Sequence, residues 1–343
     1  MTSEIYTPVG EHIHRHDTDP PDGDLSDDDI SRILHEQVTA SQVTVRTSLA
    51  EYADLRTVSM VEDPLAGLQR AATGNLSIAG YFSLADFGDD STGIRRCTED
   101  AANVLVARLQ SVRQVDRRFI YLIVRDDWYF MPATAGMLPD LPAADYLNAL
   151  WLSTVTRHPR LLTFLLGSQQ HPAYPLPVAD DDYTSLWGLA WQQLHHDDPA
   201  AHETLRAAQT AAEASGEDYA ILSASPAIEA LRHATHGAAV EFNRALAAAL
   251  RGHRTYCGSE SRQFDLGGFI AWPLLALACY AVDRGIELTV TSDYLPSALV
   301  DRAWTLPLAK DFVMIPKTSH DDDGLPLLPM RLGIDGTWEL LPD

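Results

Sequence analysis

Residues 241–304 read EFNRALAAALRGHRTYCGSESRQFDLGGFIAWPLLALACYAVDRGIELTVTSDYLPSALVDRAW, and the middle of this stretch decides the fold. From Phe269 to Val282 the chain carries no charge. Such a run is too short for a bilayer and too apolar on every side for a surface position, which predicts a helix buried all round. Pro273 stands near its first turn and Gly285 just past its end, the usual order of start and stop signals. Upstream, Phe242, Leu246, Ala249, Leu250 and His253 share one side of an amphipathic helix, and a polar loop follows from Gly258 to Gly268. Downstream, Ile286 to Thr291 alternates as an extended segment does, and Leu295-Pro296 opens a further helix with Leu299, Ala303 and Trp304. A helix without a polar face needs partners on all sides. The expectation is therefore a mainly α fold, a helical-hairpin array around a buried central helix at about 269–284.

The flanking sequence supplies helices for that array. Ser26 is an N-cap candidate ahead of Asp27, Asp28 and Asp29, whose charges suit the positive end of a helix with Ile30, Ile33, Leu34 and Val38 inward. Thr98 reads as another N-cap, with Ala101, Leu105, Leu109 and Val112 as the core face. Asp145 to Arg157 has helical spacing until Pro159 breaks it, and Arg160 to Leu166 starts an antiparallel partner. Tyr183 to Leu194 follows, then Asp198-Pro199 and Ser225-Pro226, two cap-then-proline signals that each launch a helix. Phe119–Val124 and Trp128–Met131 are β-branched and aromatic around Arg125-Asp126-Asp127, which predicts a small β-hairpin inserted at about 119–131. Residues 1–25 are polar, acidic and Pro-containing, the composition of a disordered or loosely attached arm. The helical domain is expected over 26–305. The Pro-rich extension 306–343 has apolar groups that predict an extended tail packed on the body.

Charge and motifs narrow the function. With 48 acidic against 25 basic residues the formal net charge is −23, which argues against nucleic acid or an anionic membrane as partner and favours basic proteins. Three cysteines, Cys97, Cys257 and Cys279, have no metal-type spacing and read as reduced thiols of a cytoplasmic protein. No secretory signal region opens the sequence. His12-Ile13-His14-Arg15-His16 alternates histidines, but with neither a fourth ligand nor a rigid scaffold it reads as a polar tail. His233 and His236 near Glu241, and His195-His196-Asp197-Asp198, read as solvated helix faces and loops. No phosphate-binding loop, dinucleotide fingerprint, nucleophile elbow or zinc-protease motif occurs, so no cofactor, metal or catalytic residue is assigned. The best enzymatic seed is His253, Cys257 and Asp265, a thiol and a base without an oxyanion hole.

The order of residues in the opening stretch resembles the Immunity protein 49 family of bacterial polymorphic toxin systems. Phe242, Asn243, His253, Tyr256, Gly268, Pro273, Ala278, Cys279, Asp283, Gly285, Ser292, Asp293, Tyr294, Leu295, Pro296, Arg302 and Trp304 carry the resemblance. It implies a mainly helical, non-catalytic cytoplasmic protein that binds and neutralises a cognate toxin domain. Among these positions Phe242, His253, Tyr256, Gly268, Pro273, Asp283, Gly285, Asp293, Tyr294, Pro296 and Trp304 are read as structural. Members usually stop soon after the last helix, whereas this chain runs on to Asp343 and has a longer N-terminal region. For a basic toxin, the acidic loops Asp180-Asp181-Asp182 and Asp197-Asp198 would steer the partner, with Tyr183, Trp187 or Trp191 as an aromatic anchor, unless the tryptophans belong to the core. Two other readings stay open: a hydrolase-like enzyme with a dispersed Cys/His site, and a helical adaptor for an unrelated partner.

Overall fold

The computed structural model describes residues 11–15, 27–53, 64–84, 91–113, 119–124, 127–132, 142–168, 173–176 and 182–301, with short pieces of the tail at 313–314, 330–332 and 338–340. Strand Glu11–Ile13 (β1) precedes three long helices, Asp27–Ala53 (α1), Pro64–Leu84 (α2) and Ser91–Arg113 (α3). The hairpin Phe119–Val124 (β2) and Asp127–Pro132 (β3) leads to Ala143–Thr156 (α4) and Pro159–Leu166 (α5). Tyr183–His195 (α6), Ala201–Ala214 (α7), Ser225–Thr235 (α8), Ala239–Cys257 (α9) and Trp272–Asp283 (α10) follow, then strand Val290–Ser292 (β4) and the short helix Ser297–Val300 (α11).

The protein is mainly α, and α10 is its centre. Every residue from Trp272 to Ala281 is buried, and α4, α8, α9 and α11 pack around them. The apolar window Leu266–Asp283 would be long enough to cross a membrane, but it lies mostly inside the fold. It is also not one helix: Leu266–Phe269 forms a 3-10 turn, and Ile270 is extended before α10 begins. Pro273 occupies the first turn, where no helical hydrogen bond is lost. At the other end Gly285 has φ +77°. Its N–H donates to Val282 O at 2.9 Å while the Ile286 N–H donates to Ala281 O at 3.0 Å, a paired closure that needs a left-handed residue at the glycine. Around this centre successive helices pair as expected of hairpins: α1 with α2, α2 with α3, α6 with α7, and α8 with α9.

Several boundaries differ from the sequence expectation. Helix α3 starts at Ser91, and Thr98 lies in its buried interior, donating from Oγ1 to Ile94 O at 2.7 Å. The hydroxyl finds its acceptor one turn back, so the threonine marks no boundary. Ser225 is not a cap either. A π turn, Ala220–Ala224, runs into α8, and the Ser225 hydroxyl donates to Glu213 Oε1 at 2.9 Å. In the hairpin, Val124 pairs with Asp127, so Asp127 belongs to the strand rather than the turn. The expectation of a loose N-terminal arm is corrected for residues 11–15. Here β1 pairs in parallel with β4, Ile13 is buried, and the Ser292 hydroxyl donates to Ile13 O at 2.7 Å. The rest of 1–25 lies outside the described residues. In the tail Val313–Met314, Met330–Leu332 and Trp338–Leu340 pair with one another as a three-stranded antiparallel sheet.

Candidate functional site

The chemistry-bearing residues of the opening stretch gather on a seam where α9, α10 and the segment between β4 and α11 meet. Asn243, on the buried side of α9, donates from Nδ2 to Ala239 O at 2.8 Å and to Glu287 O at 2.9 Å, and its Oδ1 accepts from Thr289 N at 2.8 Å. One amide thus satisfies the backbone on the way into β4. Further along α9 the buried His253 ring stands edge-on to Tyr294, with centroids 4.9 Å apart, and its Nε2 lies 2.9 Å from Gly268 O. A carbonyl oxygen only accepts, so Nε2 carries the proton. Gly268 is held this close for a steric reason: a Cβ there would stand 3.0 Å from Cys257 Sγ. Tyr256 carries the Arg262 guanidinium 4.1 Å from its ring centroid.

A second knot closes the far end of α10. Arg157 caps α4 with φ +50°, and its Nε donates to both oxygens of Asp283 at 3.1 Å. Its terminal nitrogens donate to Leu299 O and Val300 O, each at 2.8 Å. One guanidinium therefore ties α4, α10 and α11 together with charge-assisted bonds. In the sequence Arg157 is the last residue of a helical segment that resembles the family's middle helix, just before a His-Pro break, and nothing there announces this tie. Cys279 adds a weak Sγ contact of 3.4 Å to the same Leu299 O.

The Cys–His pair exists, but its geometry opposes catalysis. Cys257 Sγ lies 3.5 Å from His253 Nε2 and 4.0 Å from Nδ1. The nearer nitrogen bears the proton and cannot accept one from the thiol. Burial first, and the negative charge of Asp265 second, push the thiol up to about 12. Asp265 itself is spent on capping the 3-10 turn, its Oδ1 accepting from Gly267 N at 2.9 Å.

The residues expected to bind a partner differ in their surroundings. Trp187 is completely buried and Trp191 nearly so; Trp187 lies tilted against Trp151 and Trp191 stands edge-on to Tyr280. These tryptophans are core residues, which corrects the anchor role given to Trp187. Tyr183 is half-buried, and burial pushes its phenol up to about 12. Asp182 caps α6, accepting from Thr184 N at 3.0 Å and Ser185 N at 3.2 Å. Burial alone would raise its carboxyl, but these bonds and the two hydroxyls outweigh that and hold it below the usual range. Asp180 and Asp181 lie outside the described residues, as does Trp304. Asp197 and Asp198 are exposed past the other end of α6, Asp197 at φ +54° and Asp198 accepting from Ala200 N at 2.9 Å. Asp182 and the pair Asp197-Asp198 thus bracket one helix, roughly 20 Å apart at 1.5 Å per residue.

Asp293 stands apart from the core residues. It is exposed, its backbone neighbour Tyr294 is fully buried, and it receives the N-terminal segment. Arg15 N donates to Asp293 Oδ2 at 3.1 Å, Arg15 Nη2 donates to Asp293 O at 2.6 Å, and His12 Nε2 lies 3.1 Å from Asp293 Oδ1.

Residues 91–299 match the family described as Immunity protein 49, which is more than half of the chain. The chain belongs to that family. No curated protein and no solved structure matches it. The matched region begins at the first residue of α3 and ends within α11, so it contains the central helix, the seam beside it and all of the far knot but Val300. In this Immunity protein 49 member Phe242, Asn243, His253, Gly268, Pro273, Asp283, Gly285 and Tyr294 all serve internal packing, backbone satisfaction or chain reversal. An open surface groove lined by Ser41, Thr44, Gln69, Arg70, Thr73 and Arg108 contains none of them.

Proposed function

We propose that this protein is a cytoplasmic immunity protein that neutralises a cognate polymorphic toxin domain by binding it, without catalysis of its own. Membership of the Immunity protein 49 family is the observation that carries the reading. Two physical arguments support it. The one arrangement that resembles a catalytic pair has its proton on the wrong nitrogen and its thiol far from ionisation at neutral pH. The excess of 23 negative charges speeds encounter with a basic partner, and a toxin must be captured before it reaches its target.

The test is co-expression with a candidate toxin domain, sought first among the neighbouring genes. Growth should be restored by the parent and equally by a Cys257→Ser, His253→Gln variant that keeps the parent's melting temperature. The purified pair should co-elute at a fixed ratio. Loss of protection in a well-folded double variant would place a functional centre at Cys257, and absence of both binding and protection would end the proposal.

A further inference from the structure

We propose that His12, His14 and Asp293 form a binding site for a divalent transition-metal ion, with zinc the best match, that fastens the N-terminal strand to the family domain. The argument begins with the period of an extended chain. Alternate side chains point to opposite faces, so His12 and His14 share one face while Ile13 turns to the other. Ile13 is buried against the body, and both histidines are exposed. Parallel pairing sets His12 opposite Thr291 and Ile13 opposite Ser292, which brings Asp293, the next residue, to the same edge.

The distances suit an ion. One ligand atom from each of the three residues can be chosen so that all lie within 4.8 Å of one another. His12 Nε2 is 3.1 Å from Asp293 Oδ1, and His14 Nδ1 is 3.7 Å from Asp293 Oδ2. Tetrahedral zinc with bonds of about 2.0–2.2 Å sets its ligands roughly 3.3–3.5 Å apart; the His12 separation is a little shorter, and that of His14, measured to the other carboxylate oxygen, a little longer. The His14 side chain is 74% exposed and free to make the remaining adjustment. Two imidazoles and one carboxylate favour a transition ion over calcium or magnesium, which prefer oxygen ligands. A water would complete the tetrahedron.

The surroundings orient the ligands. His12 Nδ1 lies 2.9 Å from Thr291 Oγ1. With an ion bound, Nδ1–H donates to that hydroxyl and Nε2 presents its lone pair, the arrangement that fixes a metal-bound imidazole. Asp293 Oδ2 accepts from Arg15 N, and the Arg15 guanidinium is directed at Asp293 O and at Ser83. A carboxylate offers about four lone-pair directions, so these bonds leave room for coordination. His12 and His14 fall outside the matched region and Asp293 inside it, so an ion here would join the arm to the body.

Tag-free full-length protein titrated with zinc against a chromophoric chelator decides the matter. Binding of one equivalent is expected, with a zinc-dependent rise in melting temperature and slower amide exchange over residues 11–15. His14→Gln alters only an exposed ring, so its metal-free melting should equal the parent's while its zinc affinity falls about tenfold or more. Thr291→Val should weaken zinc binding by about tenfold through the lost Nδ1 contact, and His12→Gln with His14→Gln should abolish it. Equal zinc binding by the parent and the double variant would assign the ion to other histidines and overturn the proposal. So would absence of saturable binding by the parent.

Discussion

Glu99 carries the clearest titration among the half-buried carboxylates described. It lies on α3 beside the buried Asp100, and burial first, then the charge of Asp100, push its carboxyl from the ordinary 4.5 to about 7 against the pull of Arg95 and Arg96. In the unfolded chain the same group loses its proton near 4.5. Between those values the folded state holds more protons, so this group's contribution to stability is full below about 4.5 and is lost as pH rises through 7. Glu99→Gln removes the ionisation and keeps the shape. At pH 8 the variant should be more stable than the parent by about 1–3 kcal/mol, allowing for partial solvation of the site, and at pH 4 the two should coincide. Urea unfolding at both pH values measures this. A variant equally stable or weaker at pH 8 would mean that the charged carboxylate is welcome where it lies.

At the scale of elements, close backbone approach explains what patterning does not. A Cβ on Gly252 of α9 would stand 1.6 Å from Leu222 O, and one on Gly80 of α2 would stand 1.9 Å from Leu266 O. Both neighbours are main-chain atoms in irregular turns, the π turn before α8 and the 3-10 turn before α10, so neither can move aside cheaply. Gly252→Ala should therefore cost at least about 3 kcal/mol despite alanine's higher helix propensity, at the upper end for overpacking. Thermal melting beside an exposed Ala207→Ser control checks it; a melting temperature within a degree or so of the parent would refute the contact. Such contacts were hidden in the sequence because a glycine in a helical pattern announces only tolerance, not what approaches it. The centre was legible for the opposite reason. A chargeless run flanked by Pro273 and Gly285 admits few other structures, and Leu275→Asp there should unfold the domain. The docking of β1 was illegible because it depends on contacts spanning 279 residues, carried by a single apolar side chain amid polar ones. The Thr98 and Ser225 boundaries failed because a hydroxyl satisfied inside a helix reads like one that caps it.

For the whole molecule, the acidic surface is the property most tied to the proposed partner. Trp187 and Trp191 are withdrawn into the core, and the loops holding Asp182 and Asp197 sit at opposite ends of α6. Asp182 is committed to capping, whereas Asp197 and Asp198 are exposed and can change charge without loss of fold. Asparagine tolerates the left-handed backbone at 197 and retains an acceptor for Ala200 N at 198. The variant Asp197→Asn, Asp198→Asn thus removes two of the 23 excess negative charges at one defined place. If that end of α6 faces a basic toxin, association at low salt should slow several-fold, while dissociation and melting temperature stay nearly constant. The difference should vanish toward 1 M salt, where the screening length falls to about 3 Å. Stopped-flow association of the purified pair across salt concentrations gives the answer. A variant as fast as the parent at low salt would remove this end of α6 from the encounter surface, leaving the steering to charge spread over the other faces.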